Sequence, residues 1–113
     1  MKVYNKTKKT ALSQDYVFCR GLSKFIGLML SKNEKKTLVF EFAEEQNIAL
    51  HMFFVFYPID VIFLDKNKAV VDKKENFLPF TFYTSKKMAV YAIELPIGTI
   101  KKSKTAINDN IKF

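Results

Sequence analysis

The 113 residues contain one cysteine, one histidine and one arginine, with three glycines, three prolines and no tryptophan. Each shortage removes a class of chemistry. The single thiol, Cys19, excludes an intrachain disulfide framework, and without a Cys/His cluster no metal site is expected. Three glycines cannot build a phosphate-cradling loop, and no Gly-x-Ser-x-Gly elbow is present. The Met1–Lys9 stretch lacks the uncharged core of a secretory signal. The apolar run Ile48 to Ile59, uncharged throughout, is shorter than the ~20 residues a bilayer-spanning helix needs. These shortages point to a cytoplasmic protein that needs no cofactor, metal or membrane to fold.

What is present is apolar and basic. Hydrophobic residues make up 49% of the chain, enough to bury a core, and the length suits a single domain over residues 1–113. Net charge is +8 and almost wholly lysine, Arg20 being the sole arginine. Base-edge readout leans on the guanidinium fork, which lysine cannot reproduce. The lysines come in pairs such as Lys35-Lys36, Lys73-Lys74 and Lys101-Lys102, where turns are expected, so they read first as a solvated surface guarding strand edges.

Aromatic and β-branched residues crowd Ile48 to Asp65, the densest apolar run, which reads as a covered hairpin broken at Pro58. Strands are also expected at Met1–Asn5, Asp15–Cys19, Thr37–Phe42, Ala69–Asp72, Met88–Leu95 and the end of the tail. Ala43–Asn47 reads as an acidic connection. Lys66–Lys68 turns one strand into the next. Leu22, Phe25, Ile26 and Met29 fall at i, i+3, i+4 and i+7, which predicts one short helix near residues 20–30, and Ser31–Lys36 reads as a charged loop. The whole is mainly β (α+β at most): a small jelly-roll-like antiparallel β-sandwich or barrel with that one helix.

Three segments carry a resemblance. Gly27-Leu28-Met29 resembles the Gly-Leu-Met of the DUF192 family, also called UPF0127. The run from His51 through Pro58-Ile59-Asp60-Val61 to Phe63-Leu64-Asp65 resembles its His-Thr-Phe-Phe-Met-x-Phe-Pro-Ile-Asp-Val-x-Phe-Leu-Asp. Ile93-Glu94-Leu95-Pro96-Ile97-Gly98 resembles its Leu-Glu-Leu-Pro-Ala-Gly, and Asn108-Asp109 sits where the family has Gly-Asp. The resemblance implies a jelly-roll-like β-sandwich and no established activity. One branch of the family has Trp-Met-Lys-Asn-Thr where this chain has His51-Met52-Phe53-Phe54-Val55, so that branch's polar residues do not transfer.

His51 is the one side chain whose ordinary pKa suits acid–base work near neutrality. A tight Tyr57-Pro58 turn would leave it about 13 Å from Asp60 along the strand, too far for a hydrogen bond. Asp60 instead suits the role of accepting backbone N–H groups at the turn, holding the hairpin end in place. Glu94 has two readings: an exposed strand end beside Pro96, or a buried carboxyl with a raised pKa. Aromatics in Asn76–Ser85, Phe80 among them, either cover a core edge or line a groove. The leading expectation is a non-catalytic module binding a small molecule or protein partner through His51, Asp60, Phe80, Tyr91 and Glu94. The alternatives are an enzyme in which His51 meets Glu94, and a nucleic-acid binder built from contiguous lysines beside exposed aromatics.

Overall fold

In the computed structural model, residues 2–22, 25–27, 36–52 and 56–113 are described. Along them run β1 (Val3–Asn5), β2 (Thr10–Ser13), β3 (Val17–Leu22), β4 (Phe25–Gly27), β5 (Leu38–Gln46), β6 (Ala49–His51), β7 (Ile59–Leu64), β8 (Val70–Phe77), β9 (Phe82–Thr84), β10 (Ala89–Pro96), helix α1 (Thr99–Ser103) and β11 (Ile111–Lys112). The strands form three open sheets ordered β11-β1-β2, β3-β5-β10-β7-β8 and β4-β6-β9.

The five-stranded sheet is the middle layer. On one face Phe40, Phe42, Val61 and Phe63 pack with Ile48, Leu50 and Met52 from the β4-β6-β9 side. On the other, Val39, Ile62, Leu64 and Ile93 pack with Val3, Leu12 and Ile111 of the β11-β1-β2 sheet and with Ile100 of α1. A strand covered on both faces carries apolar residues at consecutive positions rather than alternate ones. That is why all six residues of β7 are buried.

Among the described residues the expected mainly β architecture with one short helix is found, with three differences. Among the described residues the helix is at Thr99–Ser103, and of the stretch expected to be helical β3 and β4 are strand; residues 23–24 and 28–35, which hold the rest of that stretch and most of the expected charged loop, fall outside the described ones. Short apolar runs fit a 3.6 and a 2.0 period alike, so spacing alone could not separate the two. Two of the three sheets are mixed, since β3 runs parallel to β5 and β4 to β6, while β11-β1-β2 is wholly antiparallel, and among the described residues none closes into a barrel. Finally, the hairpin expected across Pro58 does not form: β6 belongs to an outer sheet, whereas β7 lies between β10 and β8 in the middle one. The second half of that reading holds. β7 and β8 are antiparallel neighbours, and their turn is tied by Asp65, whose Oδ1 accepts the N–H of Asn67 (2.9 Å) and Ala69 (3.0 Å).

Both ends of the described chain are tied by Asp109. Its Oδ2 accepts from Asn5 Nδ2 at 2.9 Å and from the Ala106 N–H at 2.9 Å, and Lys8 Nζ lies 2.8 Å away. Burial alone would raise this carboxyl, but the Lys8 and Asn5 hydrogen bonds and the Ala106 N–H hold it below its ordinary value. A group depressed in this way adds stability above its unfolded pKa, and that stability is lost as pH falls through the folded value. Asp109→Ala is therefore expected to cost about 2 kcal/mol at neutral pH. Urea unfolding should show the gap between the two proteins closing in acid.

Candidate ligand-binding groove

Asp60 and Glu94 are inside the protein. Asp60 is buried, with Oδ1 accepting the Asn76 N–H at 3.1 Å and Oδ2 the Ile100 N–H at 2.9 Å. It accepts backbone N–H groups as expected, but not at the Pro58 turn: the donors come from the far end of β8 and from α1. Glu94 is buried opposite Leu38 and Val61, so the exposed strand end is not what forms. Its Oε2 has no hydrogen-bond partner among the described residues, and burial pushes its pKa well above the ordinary carboxylate value.

His51 is buried in β6, in register with Gly27 and Phe82. Leu50 and Met52 on either side enter the core, so alternation sends His51 to the opposite face of its sheet. Desolvation is what raises the Glu94 carboxyl, which faces the core cluster of Leu38 and Val61 from which His51 is turned away. The His51–Glu94 pair that an enzyme would require is not assembled. Burial and then the Glu94 charge, against an opposing pull from Lys36, push the Cys19 thiol up, away from the reactive thiolate. Among the described residues no group of His, Cys, Asp or Glu is placed to hold a metal ion.

The aromatics of Asn76–Ser85 divide. Phe77 is core, while Tyr83 is half-buried and donates to Asp72 Oδ2 at 2.7 Å. Burial, together with that hydrogen bond and charge, lifts the Tyr83 phenol to about 12. Phe80 and Phe82 face solvent, at 58% and 76% exposure, and Phe80 meets Phe56 edge-on with ring centres 5.4 Å apart.

Tyr91 leads to the other side of the molecule. In β1 the alternating residues Val3 and Asn5 point inward, leaving Lys2, Tyr4 and Lys6 outward, and Tyr4 is in register with Lys112 of β11. Phe113 then closes over the middle sheet. Its ring lies 5.1 Å from that of Tyr91 and 6.2 Å from those of Tyr16 and Phe18. The result is a groove of about 680 Å³ between Lys2, Tyr4, Lys6, Tyr16, Lys112 and Phe113. It continues through Tyr16 and Phe113 into a second hollow of about 400 Å³ that takes in Arg20, Glu41, Lys68 and Tyr91. Cations sit over the rings: Lys68 Nζ is 4.1 Å from the centre of Phe113, Lys2 Nζ 5.1 Å from Tyr4, and the Arg20 guanidinium 5.3 Å from Phe18. One acid, Glu41, lines the two hollows; it pairs with Arg20 at 3.3 Å. Burial first, and then the Glu41 carboxylate, raise the Tyr91 phenol.

Of the five residues expected in a site, Tyr91 alone lines this groove. The residues that build the rest of it were missed because they lie at opposite ends of the chain, and no local motif links Tyr4 to Phe113. The available signal was the outward alternation of Lys2, Tyr4 and Lys6.

The DUF192 family model, described as "Uncharacterized ACR, COG1430", matches residues 9–113. A UPF0127 protein of Thermococcus sibiricus is 44% identical over 112 residues, covering 96% of this chain and 72% of that protein. Another, from Thermococcus kodakarensis, is 43% identical over 94 residues, with 81% and 59% covered, so this chain spans somewhat more than half of that relative's length. Among solved structures, a protein of unknown function from Novosphingobium aromaticivorans has the same fold, with TM-score 0.75 and 13% identity over 99% of this chain and 82% of that one. A Sinorhizobium meliloti protein matches at TM-score 0.73 and 18% identity, covering 98% and 89%.

Proposed function

The chain belongs to the DUF192 (UPF0127) family, and from that premise we propose that it works as a non-catalytic binding module, one DUF192-like unit over residues 1–113, whose ligand carries a flat apolar part and negative charge. The free Cys19 thiol supports a reducing compartment, the cytoplasm. No helix among the described residues is long and apolar enough to cross a membrane.

One observation carries the reading: half-buried rings from Tyr4, Tyr16, Tyr91 and Phe113 share a groove with Lys2, Lys6, Lys68 and Lys112, against a single acid. Apolar walls with a few convergent charges are the usual make-up of a small-ligand site. Here the charges are positive, so the complement is an anion.

Anilinonaphthalene sulfonate, a flat ring system with one negative charge, is a direct probe. It is expected to bind saturably, and Lys6→Gln with Lys112→Gln should weaken it about fivefold, the effect of removing two exposed attractions. Fluorescence titration measures this. The exposed Phe80 and Phe82 are the competing place for the dye, so Phe80→Ser with Phe82→Ser should leave the titration unchanged. Loss of signal in that variant, with the lysine variant unaffected, would move the site away from the groove and sink the proposal.

A further inference from the structure

We infer that the ligand of this groove is a single strand of nucleic acid, held without sequence preference; the inference rests on the groove reading above. Three hollows run together. The first shares Tyr16 and Phe113 with the second. It shares Lys6 and Lys112 with a third, of about 370 Å³, which also takes in Asn67, Lys68, Asn110 and Ile111. Lys68 joins the second hollow to the third. A lone anion would use one hollow and leave the other cations idle, whereas a polyanion engages several in series.

The rings decide what kind of polyanion it is. An acidic peptide could satisfy the lysines but has no use for Tyr4, Tyr16, Tyr91 and Phe113 along the same connected hollows. A single strand has bases free to stack on them, whereas a duplex keeps its base faces covered. A base stacking on Phe113 must displace Lys68, which loses about two- to fivefold in affinity for an exposed cation–π contact. Stacking gains about five- to 150-fold per base, so the exchange favours the base and sends Lys68 toward a phosphate. Sequence readout is not built in. Arg20, the one guanidinium, is paired with Glu41, and lysine has no fork for base edges.

The test is fluorescence anisotropy with a labelled oligothymidylate of about eight nucleotides, a length in the range that single-strand folds of this size occupy. Four lysines on phosphates predict a log–log salt slope of about −2.8, an affinity loss of about 50-fold for a fourfold rise in salt. Lys6→Gln with Lys112→Gln should halve the slope, leaving a loss of about sevenfold. Tyr4→Ala, at the groove rim, should weaken the oligonucleotide about fivefold or more with the slope unchanged. A flat salt response overturns the inference, and so does equal binding of polyglutamate or of duplex DNA of the same length. If the oligonucleotide fails while anilinonaphthalene sulfonate still binds, the strand assignment alone falls. If both fail, the groove falls with it.

Discussion

Asp60→Ala is expected to destabilise the fold by about 2–5 kcal/mol, because it removes the acceptor of two backbone donors, the Asn76 and Ile100 N–H groups. The first is made by a bulge. Ile59 is in register with Phe77, but Val61 is in register with Lys74, so β8 carries one extra residue and Asn76 sits at φ 54°. A bulge leaves an N–H outside the ladder, and Asp60 Oδ1 accepts it. The second comes from α1. The first turn of any helix has N–H groups without intrahelical partners, and Gly98, the residue before Thr99, has no side chain to cap them. Glycine is there for its backbone: φ is 86°, although a Cβ would meet nothing within 4 Å. Asp60 Oδ2 reaches across from β7 to the Ile100 N–H and does the capping. One carboxylate thus holds the bulge, the helix and the middle sheet in register. Asp60→Asn should cost about half as much, since the amide keeps one acceptor and turns an NH₂ against the other donor. Urea unfolding with hydrogen exchange at Asn76 and Ile100 measures both variants. A loss below about 0.5 kcal/mol for the alanine variant would mean that water or relaxation replaces the carboxylate, and the capping account would be wrong.

The same residue marks how far the sequence could be read. That Asp60 accepts backbone N–H groups was legible, because a short carboxylate beside Pro58 has few other uses; which N–H groups was not, since Asn76 and Ile100 are 16 and 40 residues away. The β7–β8 turn was legible for a local reason as well: Asp65-Lys66-Asn67-Lys68 contains its own acceptors and a residue, Lys68, at φ 64°. Sheet membership was not. Ile48–Met52 and Ile59–Leu64 are equally apolar, and adjacency in sequence favours pairing them, but the structure uses one to cover the other. Strand ends were illegible where the core runs out: Glu44 and Glu45 look like a loop by composition, yet they continue β5 as an exposed extension. α1 escaped because it is barely more than one turn, with Ile100 and Ser103 as its buried residues, too short for any period to show. The groove was hidden most deeply. Its two halves are joined by the β1–β11 pairing of residues more than 100 apart, and its aromatics look no different in sequence from Phe77, which is core.

Glu94→Met is expected to make the protein more stable at neutral pH, by about 1–3 kcal/mol. Methionine fills nearly the same volume and has no polar oxygens to satisfy. The site favours it. Glu94 is on a central strand with Leu38 on one side and Val61 on the other, and its Oε2 has no partner among the described residues. Because desolvation raises the folded pKa, the native state keeps this proton after the unfolded chain has released its own. Stability should therefore fall with rising pH, beginning at the ordinary carboxylate pKa and continuing until the folded value is passed, by up to about 1.4 kcal/mol per pH unit for the one proton. This is opposite in sign to the Asp109 effect, so the wild-type profile should have a maximum in mild acid. Glu94→Met removes the descending limb and keeps the ascending one. Urea unfolding across acid and neutral pH reads both limbs, and a wild-type profile still climbing toward neutrality would show Glu94 to be paired or hydrated. Groove binding should be untouched, because Glu94 and Tyr91 leave β10 on opposite faces: Leu38 and Val61, opposite Glu94, belong to one core cluster, and Tyr91 packs on the other. A stabilised variant that still binds would identify Glu94 as a cost the fold carries independently of its ligand. A stabilised variant that no longer binds would mean the two faces of the middle sheet are coupled, and that the unsatisfied carboxyl holds the groove open from behind.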